Sequence, residues 1–234
     1  MFLTMGLLNN VIPFSFIAWG QAHIASGVAS ILNATTPLFT VLVAHWLTSD
    51  EKLTVARIVG VIVGLVGVAI MVGGEAIEAL GFGVFGQLAC LAAALSYAFA
   101  AVYGRRFAKA GIQPLAGATG QVIGSTLIMI PMMLIVDHPW KLPMPSLDVI
   151  GALAGLAVLS TGLGYIVYFR LIATAGATNA SLVTMLIPAS AILLGVLILG
   201  ESIAITHFIG LMLIAAGLAI LDGRPWRFVK GKAV

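Results

Sequence analysis

Charge is the scarcest commodity in this chain: Asp, Glu, Lys and Arg make up 8% of its 234 residues. A water-facing domain carries roughly 25%, so these residues cannot clothe a soluble surface. Cysteine is nearly missing too. Cys90 stands alone in an apolar run, which excludes an internal disulfide, and no metal-ligand spacing surrounds it. It reads as a small core residue. No Lys or Arg precedes Lys52, so a cleavable leader with a basic start is not evident. There is no His-Glu-x-x-His, Gly-x-Ser-x-Gly or Walker loop, which leaves an enzyme without a motif and calls for no cofactor. Asp50, Glu51, Glu75, Glu78, Asp137, Asp148, Glu201 and Asp222 all fall at or near the ends of apolar runs. The buried ionisable relay of a proton-coupled carrier is not visible, and facilitated movement of a solute fits better.

What fills the chain is hydrocarbon: 61% hydrophobic residues and a mean hydropathy of +1.16. It falls into eight runs: Phe2–Gln21, Ser26–Leu47, Thr54–Val72, Val84–Gly104, Leu115–Val136, Val149–Arg170, Ala177–Leu199 and Ile203–Leu221. A helix crosses a ~30 Å hydrocarbon layer in ~20 residues, and only structures that satisfy their own backbone survive there. The expected fold class is an all-α integral membrane protein with eight transmembrane helices. Gly73-Gly74-Glu75 and similar clusters mark the breaks, and the proline-rich stretch 138–148 with Trp140 suits the membrane interface.

Lysine and arginine set the orientation. With the N-terminus inside, Lys52, Arg57, Arg105, Arg106, Lys109, Arg170, Arg224, Arg227, Lys230 and Lys232 are cytoplasmic, and Lys141 alone is outside. The positive-inside rule therefore puts both termini in the cytoplasm. The same placement at span ends argues against nucleic acid as the partner of a chain with pI about 9.2.

One pattern occurs twice. Ala29-Ser30 and Pro37 match Ala180-Ser181 and Pro188 at an offset of 151. Glu51, Gly60, Gly67 and Gly73 match Glu201, Gly210, Gly217 and Gly223 at an offset of 150. The first span also falls in register with the sixth, Phe14 on Tyr165 and Trp19 on Arg170. A fixed long period marks a duplicated unit. Three spans precede the second copy and one the first, giving units of three and five helices. A five-helix unit has odd parity, so the two units have opposite topology, an inverted repeat of the kind carriers use. The expected organisation is 1–74, a three-helix first repeat; 82–223, a five-helix second repeat; and 224–234, a basic cytoplasmic tail.

These residues carry a resemblance. The mid-helix Pro37 and Pro188, Asp50-Glu51-Lys52-Leu53 and Gly200-Glu201-Ser202-Ile203, the following Gly60, Gly67, Gly210 and Gly217, and Ala93-Ala94-Leu95-Ser96-Tyr97-Ala98 before Arg105-Arg106 resemble the EamA-type branch of the drug/metabolite transporter superfamily. The resemblance implies ten helices in two five-helix repeats, a bacterial inner-membrane location, and export or exchange of small metabolites such as amino acids. The two helices that would open the first repeat are not in this sequence. A start upstream of Met1 is the expectation, and a true eight-span protein the alternative.

A substrate cavity would then rest on uncharged groups. Asn10 and Ser15 lie in the first span, Asn33, Thr36 and Pro37 in the second, and Ser96 and Tyr97 in the fourth. Ser160, Thr161 and Tyr165 lie in the sixth, and Thr184 and Pro188 in the seventh. Ala29, Asn33, Thr36, Pro37, Thr40 and Ala44 share a helix face. Each proline removes a backbone N–H and frees a carbonyl, which is tolerated where it lines a cavity or packs on a neighbour. Glu51 and Glu201 precede helix N-termini, where a negative charge is favoured, and read as caps or ties between repeats before gates. The reading is a carrier of small amphipathic metabolites working by alternating access in the lipid bilayer, with homodimerisation open. The alternative is a non-transporting membrane subunit or an incomplete part of a ten-helix transporter.

Overall fold

The computed structural model describes residues 1–49, 53–78, 82–164, 167 and 183–222. All regular structure among them is helical. We number the helices α1 (Phe2–Gln21), α2 (Ser26–Leu47), α3 (Val55–Glu78), α4 (Phe82–Lys109), α5 (Pro114–Asp137), α6 (Leu147–Leu163), α7 (Val183–Leu199) and α8 (Ile205–Asp222). By length and composition α1, α2, α4 and α5 are able to cross a membrane, and the others contribute shorter apolar stretches.

Several boundaries differ from the sequence expectation, each for a local reason. The third helix does not stop at Gly73-Gly74 but runs to Glu78, because paired glycines weaken a helix without forcing a turn. The fourth continues past Gly104 to Lys109. Arg105, Arg106 and Lys109 are good helix formers and suit a helix C-terminus. Gly111, at φ +68°, then turns the chain. The second span is one helix in outline but breaks at Ala34–Thr35. α1 widens into a π turn at Leu7–Val11, just ahead of Pro13, whose missing N–H leaves the Asn9 carbonyl without its helical donor.

The buried core gathers around α2. Val28, Ala29, Ile31, Leu32 and Leu38 pack with Val68 and Met71 of α3, Cys90 of α4, and Ile214 and Leu218 of α8. Helix pairs approach closely where side chains are absent. A methyl group on Gly20 would lie 2.8 Å from the Gly86 carbonyl oxygen, joining α1 to α4. One on Gly6 would lie 2.6 Å from the Ser125 nitrogen, and one on Gly124 2.8 Å from the Phe2 carbonyl oxygen, joining α1 to α5.

The α3–α8 seam is reciprocal. A methyl on Gly60 would sit 2.7 Å from the Gly217 carbonyl oxygen, and one on Gly217 2.5 Å from that of Gly60. Gly67 and Gly210 approach in the same way, at 2.8 Å and 2.9 Å. Gly60 aligns with Gly210, and Gly67 with Gly217, at the sequence offset of 150. Each glycine thus meets the counterpart of its neighbour on an antiparallel helix, the form an isologous two-fold contact takes.

Candidate functional site

Pro37 shapes the break in α2. It cannot donate to the Asn33 carbonyl, and the Thr36 hydroxyl donates there instead at 2.7 Å. The Thr35 hydroxyl donates to the Leu32 carbonyl at 2.6 Å. The break is therefore closed by its own threonines rather than left open. Two groups are not closed: Asn33 Oδ1 and Ser30 Oγ are buried and have no hydrogen-bond partner. They sit one turn apart on the same face as Pro37. Leaving such atoms unanswered in a dry interior costs ~1–3 kcal/mol each, so they are places where a polar ligand would be gained at little further desolvation.

The other sequence candidates scatter. Asn10 is buried, and its Nδ2 donates to Ser125 Oγ across the α1–α5 contact at 3.2 Å, while its Oδ1 has no partner. Asn9 beside it donates to Gln121 Oε1 at 3.1 Å. Ser96 donates to the Leu8 carbonyl at 2.7 Å, holding α4 against the π turn of α1. Ser15 is exposed and Tyr97 half-buried. Thr161 donates back into its own helix, to the Leu156 carbonyl at 3.2 Å, and Ser160 beside it is exposed. Pro37 is exposed and Pro188 buried within an unbroken α7. Tyr165 and Glu51 lie outside the described residues, as does the side chain of Thr184.

Glu201 ties distant parts of the chain. Gly200, at φ +65°, turns the chain out of α7. Glu201 Oε1 accepts from the Ser26 N–H at 2.8 Å; Oε2 accepts from the Ser26 hydroxyl at 2.9 Å and from the Gly27 N–H at 3.3 Å. The carboxylate thus caps α2, 175 residues earlier in the chain, rather than α8, which it precedes. Two orphan donors of a helix N-terminus are satisfied by a group favoured by the helix dipole. Gly195 makes the room, since a methyl there would strike the Glu201 carboxylate. Burial pushes the Glu201 carboxyl up, but the hydrogen bonds from Ser26 and Gly27 together outweigh it and hold the group below its ordinary value.

A cavity of about 440 Å³ opens between α1, the end of α2 and the last turns of α4. Leu8, Leu47, Thr48, Ser49, Phe99, Val102, Tyr103, Arg105, Arg106 and Lys109 line it. In the sequence these cations speak only to orientation. The signal available was the stripe Phe99, Val102–Tyr103, Arg106 at three- and four-residue spacing. No group of three or more potential metal ligands occurs among the described residues.

Comparison with known proteins agrees with this architecture. The chain is 27% identical over 221 residues to the uncharacterized transporter YoaV of Bacillus subtilis, covering 93% of this chain and 73% of that protein. It is 23% identical to an uncharacterized transporter of Archaeoglobus fulgidus, covering 93% and 75%. A crystal structure sharing 20% identity superimposes with a TM-score of 0.59 over 94% of this chain and 74% of its own, a likeness of fold. The EamA-like transporter family matches residues 1–73 and 84–221, nearly the whole chain. With apolar helices, a reciprocal glycine seam and that match in hand, the chain is a multi-pass membrane protein and belongs to the EamA-like transporter family.

Proposed function

We propose that this chain carries small amphipathic metabolites, amino-acid-like compounds among them, out of the cell or in exchange, by alternating access. The observation that carries this reading is the reciprocal α3–α8 seam. Inverted repeats that meet about a two-fold axis rock against each other around a central site, and the seam supplies the axis. The broken α2, with Asn33 Oδ1 and Ser30 Oγ unanswered, supplies polar contacts beside it. Of the other sequence candidates, Asn10 contributes its unpartnered Oδ1 to the same proposed path. The membrane is the inner one, with both termini cytoplasmic, as the basic residues at span ends support.

Counterflow in proteoliposomes tests this. A panel of labelled amino acids and small carboxylates is offered to the purified chain and to Asn33→Leu/Thr36→Leu. Accumulation by the parent chain, lost in a variant that inserts normally, is the expected result. Equal rates in both would remove Asn33 and Thr36 from the path, and no accumulation of any solute above empty liposomes would remove the carrier itself. The exposure of α6 favours a second reading. Among the described residues nothing lies within 4 Å of a methyl placed on Gly151 or Gly155, as expected if the chain works as one part of a larger membrane assembly.

A further inference from the structure

The 440 Å³ cavity brings two kinds of lining together. Leu8, Phe99 and Val102 are apolar, and Tyr103, Arg106 and Lys109 follow toward the C-terminal end of α4 with two cations. Its volume falls in the ~300–1,000 Å³ range of small-molecule sites. The Arg106 guanidinium stacks over the Tyr103 ring, 4.9 Å from its centroid. Stacking engages the face of the guanidinium and leaves its in-plane N–H donors free for a carboxylate or phosphate. Lys109 is one turn further along the same helix, and both cations are exposed. Arg105 is engaged with a partner of its own, so the assignment rests on Arg106 and Lys109. None of the described lining residues is acidic.

We infer that this cavity is a binding site for an amphipathic organic anion, whose carboxylate or phosphate sits at Arg106 and Lys109 and whose apolar body lies against Leu8, Phe99 and Val102. As the entry vestibule of the proposed carrier, the site would sort its solutes by charge, a narrowing that rests on the transport reading. The same chemistry is presented by two sources, a free amphiphile and the headgroup of an anionic lipid.

Site-directed alkylation distinguishes them. Val102→Cys places a thiol on the cavity wall, and Cys90, fully buried, serves as the silent background. The purified chain is alkylated with a maleimide in the presence of octanoate, of octanamide, or in nanodiscs with and without phosphatidylglycerol. Octanoate is expected to slow labelling about ten-fold, the scale of one charge-assisted contact, while octanamide leaves the rate unchanged. Arg106→Gln/Lys109→Gln is expected to abolish the protection. Protection by phosphatidylglycerol alone would support the anion site with lipid as its occupant. Protection by octanamide equal to that by octanoate, or protection that survives the double substitution, would overturn the inference, as would no protection from any probe. Should the double variant fail to fold, Lys109→Gln alone is expected to weaken protection and Arg106→Lys/Lys109→Arg to keep it. Counterflow that persists without protection would break this inference and leave the carrier standing; protection without counterflow would do the reverse.

Discussion

The first and sixth spans align in sequence, Phe14 on Tyr165 and Trp19 on Arg170, positions that follow the end of α6, yet α1 and α6 live in different surroundings. α1 is held on two sides. Gly6 and Gly124 bring it against α5, Gly20 and Gly86 against α4, and Asn9, Asn10 and the Leu8 carbonyl all bond across. α6 has its own small residues, Gly151, Gly155 and Gly162, but no described helix packs closely on them. Leu153, Leu156, Val158 and Leu159 are all about 60% exposed. The lesson is that a stripe of glycines records a capacity for close approach and not a contact. Glycines carry tight contacts on α1 and lie on open surface on α6.

Substitutions can break or sharpen that contrast. The largest effect is expected from Gly124→Leu, whose side chain would enter the backbone of Phe2. It should cost about 3 kcal/mol, the upper range for overpacking a filled interface, whereas Gly155→Leu should stay within ~0.5 kcal/mol. Thermal unfolding in detergent reads both, and equal losses would erase the distinction between the helices.

A smaller effect is expected at the loop tie. Glu201→Ala should cost about 1 kcal/mol, as loss of a helix cap does, and Gly195→Ala should cost a similar amount by displacing the carboxylate. The tie also gives a pH signature. The folded carboxyl titrates below its unfolded value near 4.5. Its contribution is therefore complete above that value and is lost as pH falls through the folded one. Acidification below about pH 4.5 should lower the melting temperature of the parent chain more than that of Glu201→Gln; identical acid slopes would dismiss the tie. A smaller effect still is expected from Asn10→Leu, which removes one interhelical hydrogen bond worth about 0.6 kcal/mol in a membrane protein. Thr161→Val, which removes a bond within α6 alone, should be silent in the same melt.

Much of the fold was legible because lipid leaves few options: apolar runs of spanning length must be helices, and α1 lies over Phe2–Gln21 as the hydropathy predicts. The break at Ala34–Thr35 was half-legible. Pro37 announces a missing N–H, but nothing local says that Thr36 will answer the Asn33 carbonyl. The Glu201 contact was less so. Its position ahead of α8 suggested a cap there or a tie to a distant part of the chain, without saying which helix, and the helix it caps begins at Ser26, 175 residues away. The cavity was least legible: the stripe Phe99, Val102–Tyr103, Arg106 marks one wall, but Leu8, Ser49 and Arg106 become neighbours only when three helices are placed together.

The proposed movement of the two halves against each other about the glycine seam is tested most directly by a distance measurement, which needs no known substrate. Spin labels at Ala22 and Ser202 report the side of the Glu201 tie, and labels at Trp46 and Lys109 the side of the basic cavity; all four positions are exposed. In nanodiscs, pulsed dipolar spectroscopy is expected to show two populations for each pair. Glu201→Gln, which weakens the tie, should lengthen the first distance and shorten the second. A single distance for each pair, unchanged by Glu201→Gln, would contradict the account.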